Sequence, residues 1–192
     1  MRTLLLFVAL LIAPTASAQI ALGGALPMAD TALPTATGGT ASLASLAGTR
    51  GTVVVFWANQ CPWVDRYEER LFLLADRYGD DGYKFILVNS FGPGVAAETA
   101  ERSAARYSSK GYTLPYLLDA NGALAAAMGA SRAPQVYVFD EKRALVYVGS
   151  VDDNPTNADA ASRRYLQESI DAEMAGGRPE TAQTESLGCL IK

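Results

Sequence analysis

The sequence predicts an α/β fold in which helices flank a central mixed sheet. The run Thr52–Trp57 is short and almost wholly apolar, which is typical of a strand buried on both faces. From Val64 to Tyr78, apolar residues recur with the spacing of an amphipathic helix. Two β-rich runs, Gln135–Asp140 and Leu145–Gly149, are separated by a short turn and predict an antiparallel hairpin.

The first residues of the chain have the pattern of a secretory signal. Arg2 supplies a positive charge, residues 4–12 are apolar, and Ala16–Ala18 is a small-residue cleavage site. The apolar run is shorter than the roughly 20 residues that span a bilayer. We therefore expect residues 1–18 to be removed, a mature chain beginning near Gln19 without a membrane span, and a periplasmic or secreted product.

The mature chain has a length that suits one domain. We assign this domain to residues 19–175, including an irregular N-terminal extension with short strands near Leu33 and a helical turn at 43–46. Residues 176–192 form a polar tail that carries Cys189, and we predict that this tail is mobile or loosely docked.

The remaining elements follow the same reading of periodicity and turn signals. The helix after Cys61 ends at Gly79, where glycine favours a helix stop. A strand–helix–strand order implies a parallel pair with a right-handed crossover. The further predicted elements are a strand at 84–88, a helix at 96–110, a strand at 114–118, a helix at 123–128 and a last helix at 160–175.

Composition excludes several classes of protein. The formal charge is −4, from 16 Lys and Arg against 20 Asp and Glu, without a long basic stretch, so we expect no nucleic-acid partner. Histidine is absent, which excludes Cys-His proteases, Ser-His-Asp hydrolases and histidine-ligated zinc. Two cysteines are too few for a disulfide-built scaffold. We expect neither a metal nor a cofactor.

Cys61 is the candidate nucleophile because it lies between the end of a central strand and the start of a helix. Free backbone donors and the helix dipole favour an anion there, which lowers a thiol pKa. Two alternatives remain open on position alone: an inert buried cysteine, or one half of a structural disulfide.

Three segments together resemble the redoxin group of thioredoxin-like proteins, which includes peroxiredoxin relatives of the alkyl hydroperoxide reductase and thiol-specific antioxidant type. Residues 42–51 followed by Val53–Ala58 resemble the entry to the redox strand of that group, and Cys61 falls at its nucleophilic cysteine. Ala133–Pro134 resembles the cis-proline segment that faces this cysteine. The resemblance implies a thioredoxin-like fold.

A narrower resemblance is to bacterial thioredoxin-family proteins whose site reads Cys-Asn-His-Cys-Pro-aromatic-Val and which end in Gly-Cys-x-Ile-Lys. It extends over nearly the whole mature chain, with residues 151–155 and 188–192 matching as well. It implies catalytic roles for Cys61 and Cys189 and supporting roles for Pro62, Trp63 and Pro134. The matching residues at the site are Asn59, Cys61, Pro62, Trp63 and Val64.

The departures from these families remove the usual helpers of the cysteine. Ala58 replaces the first cysteine of the narrower motif and also the hydroxyl residue of peroxiredoxins, while Gln60 replaces the histidine. Val64 stands where thioredoxin has its second cysteine, and Val55 where it has a buried acid. Cys189 is then the one thiol left to cooperate with Cys61.

We therefore predict that Cys61 attacks a small peroxide or the disulfide of a protein partner, and that Cys189 resolves the product. Gly188 lets the tail backbone approach closely. The alternative is a permanent bridge in a non-catalytic binding or scaffold protein. Closing the loop of 128 residues between the cysteines stabilises the fold by about 5 kcal/mol in the chain-entropy model, so stability alone justifies a bridge. The sequence leaves the oligomeric state open.

Three other features have competing interpretations. Trp57 and Trp63 line a substrate groove or pack in the core. For Arg132 one interpretation is that it stabilises a thiolate or a peroxide oxygen, and the other is an exposed arginine without a catalytic role. We favour the second. Residues 152–154 form a turn or helix cap rather than a cation site, because their spacing does not match a calcium loop.

Overall fold

The structure is a computed structural model that describes residues 19–92 and 94–191. The predicted signal segment, residues 1–18, lies outside the described residues. The strands are β1 (Leu33–Pro34), β2 (Thr40–Ala41), β3 (Gly51–Trp57), β4 (Tyr83–Asn89), β5 (Tyr116–Leu118), β6 (Arg132–Ala133), β7 (Gln135–Asp140), β8 (Leu145–Gly149) and β9 (Cys189–Leu190). The helices are α1 (Leu43–Leu46), α2 (Pro62–Gly79), α3 (Ala100–Lys110), α4 (Ala123–Met128) and α5 (Tyr165–Met174). None of these helices combines the length and hydrophobicity that crossing a bilayer requires.

The central sheet has the strand order β5-β4-β3-β7-β8. β3 pairs in parallel with β4 and antiparallel with β7, so the sheet is mixed. Every residue of β3 is buried, because side chains alternate between the two faces and both faces are covered. Val53 and Val55 pack into one apolar cluster, while Val54 and Phe56 pack into the other.

Helices cover both faces of this sheet. One cluster includes Tyr67 and Leu71 from α2 and Ile170 from α5. The opposite cluster includes Leu43 from α1 and Leu124 from α4. This arrangement confirms the predicted α/β class, with a mixed central sheet between helices.

Two helices begin later than the sequence predicts. In each case a side chain that precedes the helix accepts a hydrogen bond from a backbone amide. Thr99 caps α3 by accepting a hydrogen bond from the Arg102 amide at 3.3 Å, so the helix begins at 100 rather than 96. Before α5, the Asp153 carboxylate accepts a hydrogen bond from the Ser162 amide at 2.9 Å. Such local side-chain bonds compete with helix formation. α5 therefore begins at 165 rather than 160.

The topology brings three strand ends to one edge of the sheet. β3, β4 and β5 run parallel, so their carboxyl ends lie together at this edge. Crevices outside such ends are the usual ligand sites of open α/β sheets. Residues 58–60 form the loop from β3 to α2, and Cys61 stands directly before the helix.

Candidate redox site

Cys61 occupies the N-cap position of α2. Its backbone is extended, with φ −128° and ψ 117°, and its carbonyl accepts the hydrogen bond of the Asp65 amide at 3.1 Å. Pro62 follows as the first helical residue, where a missing backbone donor costs nothing. The Cys61 side chain makes no capping bond and the residue is only 1% exposed. The predicted position between strand end and helix start is confirmed.

Cys61 and Cys189 form a disulfide, with their Cα atoms 6.1 Å apart. These are the two cysteines of the chain, and they lie 128 positions apart in sequence. Cys189 is partly buried and packs with Ile191 against the apolar cluster that includes Cys61. The structure therefore brings together the two residues that the sequence singled out, in the oxidised state.

The cis peptide Ala133–Pro134 faces this disulfide. The Cys61 sulfur lies 3.2 Å from the Ala133 carbonyl oxygen. In the disulfide this sulfur carries no hydrogen, so the approach is a contact rather than a hydrogen bond; a Cys61 thiol would have an acceptor there. Ala133 is also the register partner of Cys189, because β6 pairs antiparallel with β9. One loop thus contacts both cysteines.

The C-terminal tail, which the sequence predicts to be mobile or loosely docked, is docked by backbone hydrogen bonds at its middle and at its end. At its middle, Val148 donates its amide to the Ala182 carbonyl and accepts from the Thr184 amide, both at 3.0 Å. At its end, Ile191 donates to the Ser131 carbonyl at 3.0 Å. A tail with polar side chains docks because these hydrogen bonds are formed by its backbone. Side-chain hydropathy gives no information about backbone hydrogen bonds.

Gly188 permits the closest approach of the tail. A Cβ atom there would lie 2.4 Å from the Ala133 carbonyl oxygen, a distance that forces the backbone to shift. The Gly188 carbonyl accepts a hydrogen bond from the Arg132 guanidinium at 3.1 Å. Arg132 therefore holds the tail, a contact that the sequence did not predict.

Glu98 binds the loop that precedes Cys61. Its carboxylate accepts hydrogen bonds from two consecutive backbone amides, those of Asn59 at 2.7 Å and Gln60 at 3.0 Å. The Asn89 side-chain amide donates to the same carboxylate at 2.8 Å. Glu98 is 7% exposed, so these N–H donors replace most of the water that would otherwise solvate the carboxylate.

Asn59 connects this carboxylate to the core. Its side-chain amide donates to the Ala97 carbonyl at 3.0 Å and the Ser103 hydroxyl at 2.9 Å. Its side-chain carbonyl accepts from the Tyr116 hydroxyl at 2.9 Å. Burial raises the pKa of Tyr116 above its ordinary value, so the phenol stays protonated as the donor. Every polar atom of the Asn59 side chain therefore has a partner that fixes the loop.

Arg106 joins the loop to α2 from the solvent side. It donates to the Asn59 carbonyl at 2.6 Å and forms ion pairs with Asp65 at 2.7 Å and Glu68 at 2.6 Å. Burial alone would raise the pKa of Glu68, but hydrogen bonds from Tyr112 and Lys110 and the Arg106 charge outweigh it, so the pKa is lowered.

The sequence reading missed both Glu98 and Arg106. Both residues fall inside the helix predicted at 96–110, to which no role at the site was assigned. Thr99 is a capping residue type and was a signal that the helix starts after Glu98. The contact with residues 59 and 60, which are distant in sequence, had no sequence signal.

The aromatic residues near the site divide between core and rim. Trp57 is fully buried, so core packing is the correct one of its two interpretations. Trp63 is partly buried against the core and lies 5.4 Å below the Arg66 guanidinium, while Pro62 is exposed. Pro62 and Trp63 are therefore accessible to solvent directly after the buried Cys61.

The acidic pair at 152 and 153 has structural partners. The Asp152 carboxylate pairs with Arg70 and accepts from the Tyr67 hydroxyl at 3.2 Å. Burial together with the neighbouring Asp152 raises the pKa of Tyr67 to about 12. Within the described residues no group of three His, Cys, Asp or Glu side chains is arranged to hold a metal ion.

Comparison with solved structures gives the same fold. A hypothetical protein from Sinorhizobium meliloti is 34% identical, with 91% of this chain and 96% of that chain covered and a TM-score of 0.81. An uncharacterised conserved protein from Geobacillus kaustophilus is 29% identical, covering 91% and 93%, with a TM-score of 0.83. A peroxidoxin from Mycobacterium tuberculosis is 19% identical, covering 68% and 85%, with a TM-score of 0.57.

No curated protein matches the chain. Residues 21–163 match the redoxin family, a range that includes Cys61 and the cis-proline loop but ends before the tail with Cys189. With the mixed sheet, the cysteine at the start of α2 and the facing cis proline already described, the fold is thioredoxin-like, and the chain belongs to the redoxin family.

Proposed function

We propose that this protein is a thiol oxidoreductase in which Cys61 and Cys189 cycle between dithiol and disulfide. The observation that carries the proposal is the position of the bond between them. It joins the N-terminus of a long helix to a strand paired with the cis-proline loop. Helix N-termini favour thiolates, which are the reactive form of cysteine. Membership of the redoxin family supports this chemistry.

In the reduced protein, the Cys61 thiolate attacks an oxidised substrate. With a peroxide, one oxygen is transferred to sulfur to give a sulfenic acid, and the rest of the peroxide leaves as an alcohol or water. The Cys189 thiol then attacks that sulfur, and water leaves as the disulfide forms. With a protein disulfide, Cys61 attacks one sulfur, the substrate S–S bond breaks and the other sulfur leaves as a thiolate, which gives a mixed disulfide. Cys189 then attacks the Cys61 sulfur, and the sulfur still bound to Cys61 leaves as the second thiolate of the substrate.

Regeneration requires a thiol donor, and we propose that the donor attacks Cys189. Cys61 is 1% exposed, whereas Cys189 is partly exposed at the protein surface. Attack on Cys189 expels Cys61 as a thiolate at the helix N-terminus, where the leaving charge is stabilised. The donor thus becomes linked to the tail before a second donor thiol releases it.

The test is mass mapping of thiols in the reduced protein after one equivalent of hydrogen peroxide or of a small disulfide. We expect the Cys189→Ser variant to accumulate sulfenate or a mixed disulfide at Cys61, and the wild type to form the intramolecular bond. In the reverse direction, a dithiol donor with one thiol removed should be trapped on Cys189. A Cys61 thiol that reacts no faster than a free cysteine would contradict the proposal.

The second candidate is a binding or scaffold protein with a permanent Cys61–Cys189 bridge. It is favoured by the extensive docking of the tail, which uses the edge of β8 as well as β6. Structural disulfides in exported proteins have reduction potentials below about −300 mV. A potential in that range, measured in dithiothreitol buffers, together with slow Cys61 alkylation after reduction, would assign the bridge to stability.

We also propose that the protein is exported, because residues 1–18 have the charged, apolar and small-residue pattern of a signal sequence. Expression in a bacterium followed by N-terminal sequencing tests this. We expect the periplasmic or secreted product to begin near Gln19. A product that stays in the cytoplasm with residues 1–18 attached would exclude export.

A further inference from the structure

A cavity of about 310 Å³ lies away from the disulfide, between three elements. Its walls come from the second half of α2, the segment after β8 and the start of α5. The volume is at the lower end of the range of roughly 300–1,000 Å³ that ligand sites occupy. The redox chemistry proposed above uses none of its residues.

Part of the lining of this cavity is apolar. Leu73 and Leu74 from α2 and Val151 after β8 contribute it. Leu73 is 61% exposed, more than any other large apolar side chain among the described residues. A ligand in the cavity would cover part of this exposed apolar surface.

Three arginines and two aspartates line the same cavity. Arg70 is already committed, because it pairs with Asp152 and donates to the carbonyls of Asn154 and Pro155. Asp159 is an exposed residue on the cavity wall.

Arg77 and Arg164 remain without a carboxylate partner in the described part of the chain. Arg77 lies over the Tyr78 ring with its guanidinium carbon 5.2 Å from the ring centre. Within the described residues, Asp159 also lines the cavity and forms no ion pair with either arginine. The lining is therefore locally cationic in a protein whose formal charge is −4.

We propose that this cavity binds a small organic carboxylate with an apolar body, such as a medium-chain fatty acid. A guanidinium binds a carboxylate through two parallel N–H donors, and Arg77 and Arg164 supply such donors. The apolar body lies against Leu73 and Leu74, where it removes apolar surface from water. The volume of about 310 Å³ suits a small molecule rather than a folded partner.

The test is calorimetric titration of the oxidised mature protein with decanoate below its micellar concentration. Decyltrimethylammonium, with the same chain and the opposite charge, serves as the comparison ligand. We expect saturable binding of decanoate at one site and no saturable binding of the cation. Amide chemical-shift changes should cluster at residues 73–77 and 164–167.

Matched variants separate this site from general surface binding. Arg77→Gln, Arg164→Gln and Leu73→Gln should each weaken decanoate binding about tenfold, the effect of losing one charge-assisted or apolar contact. Arg102→Gln and Leu22→Gln make the same chemical changes at exposed positions outside the cavity and should leave binding unchanged. All five side chains are exposed, so the fold should persist, and amide spectra check this.

Three results would overturn the proposal. One is equal binding of the cation and decanoate. Another is a decanoate affinity that stays unchanged in all three cavity variants. The third is a wild-type dimer, seen by sedimentation, that Leu73→Gln converts to a monomer, because the cavity would then belong to an interface between two copies of this chain.

Discussion

At the residue scale, the most consequential side chain after the cysteines is Glu98. A buried carboxylate without an adjacent cation is costly unless N–H donors surround it. Here the donors are the two backbone amides immediately before Cys61 and the Asn89 side chain. The carboxylate therefore helps to fix the conformation of the loop that presents Cys61.

Glu98→Gln tests this role. The amide group can accept from only one of the two loop amides and turns an N–H toward the other, so we expect the free energy of unfolding to fall by about 1–3 kcal/mol. Alkylation of Cys61 in the reduced variant should also change in rate, because the loop is less fixed. Chemical denaturation and alkylation kinetics measure the two effects. The control is Glu69→Gln, because Glu69 is exposed and its side chain forms no hydrogen bond or ion pair within the described residues. Equal behaviour of both variants would refute the role.

Glu68 makes the free energy of unfolding decrease as the pH falls into the acid range. Its pKa in the folded protein lies below the ordinary value of 4.5, because Tyr112, Lys110 and Arg106 stabilise the carboxylate against the opposing effect of burial. The unfolded chain therefore takes up a proton first as the pH falls. The stabilisation from Glu68 is complete above pH 4.5 and is lost as the pH drops through the lower, folded-state pKa.

Glu68→Gln should reduce the dependence of the unfolding free energy on pH in the acid range. We expect the difference in unfolding free energy between wild type and variant to be largest near neutral pH and to shrink as the pH falls below 4.5. Denaturation curves across this pH range measure the difference. Glu69→Gln is the adjacent control, and a difference that stays constant with pH would contradict the assignment.

At the element scale, the pairing of β6 with β9 decides where Cys189 lies. This two-residue ladder places Cys189 opposite Ala133, and Gly188 crosses the Ala133 carbonyl too closely for any side chain. The bonds of the tail to Val148 in β8 support the ladder from the other end. Together with the packing of Cys189 against the apolar cluster, these backbone contacts hold Cys189 beside Cys61.

Gly188→Ala should separate β9 from β6. The added Cβ would lie 2.4 Å from the Ala133 carbonyl oxygen, so the backbone must move and the disulfide should form less readily. The fraction of disulfide in glutathione redox buffers should drop at each buffer ratio. Gly177→Ala, whose Cβ would meet its nearest neighbour at 3.6 Å, is the control in the same tail. A disulfide fraction equal to that of Gly177→Ala would show that the close approach is dispensable.

At the scale of the whole molecule, the disulfide links the start of α2 to the end of the described chain. It closes 128 positions of sequence and thereby restricts the unfolded chain. The mixed sheet with apolar clusters on both faces forms a conventional core, so the bridge adds to a fold that is already built. Reduction should consequently loosen the tail before the sheet.

Reduction therefore has an expected thermodynamic effect. We expect the free energy of unfolding to fall by about 5 kcal/mol when the disulfide is reduced, in the chain-entropy model. Denaturation with and without a non-thiol reductant measures this. The Cys189→Ser variant should resemble the reduced wild type and should not respond to reductant. A response in that variant, or none in the wild type, would exclude the intramolecular bridge in solution.

Much of the fold was predictable because the residue pattern within short segments determines most of its helices and strands. The apolar run of β3, the helical periodicity after Cys61 and the hairpin at 135–149 each follow from burial and side-chain period, and the structure confirms them. The starts of α3 and α5 were not predicted correctly, since side-chain hydrogen bonds of Thr99 and Asp153 decide them. The spacing of apolar residues gives little information about such hydrogen bonds.

By itself, the sequence determined which two residues could perform thiol chemistry, because it contains two cysteines and no histidine. It also placed Cys61 at a helix start and predicted a fold in which the Pro134 loop faces Cys61. Only the tertiary structure decided that the tail docks against β6 and β8, and that Glu98 and Arg106 fix residues 59 and 60. The physical reason is that these contacts are backbone hydrogen bonds and buried charges between segments far apart in the chain, whose partners hydropathy and spacing do not specify.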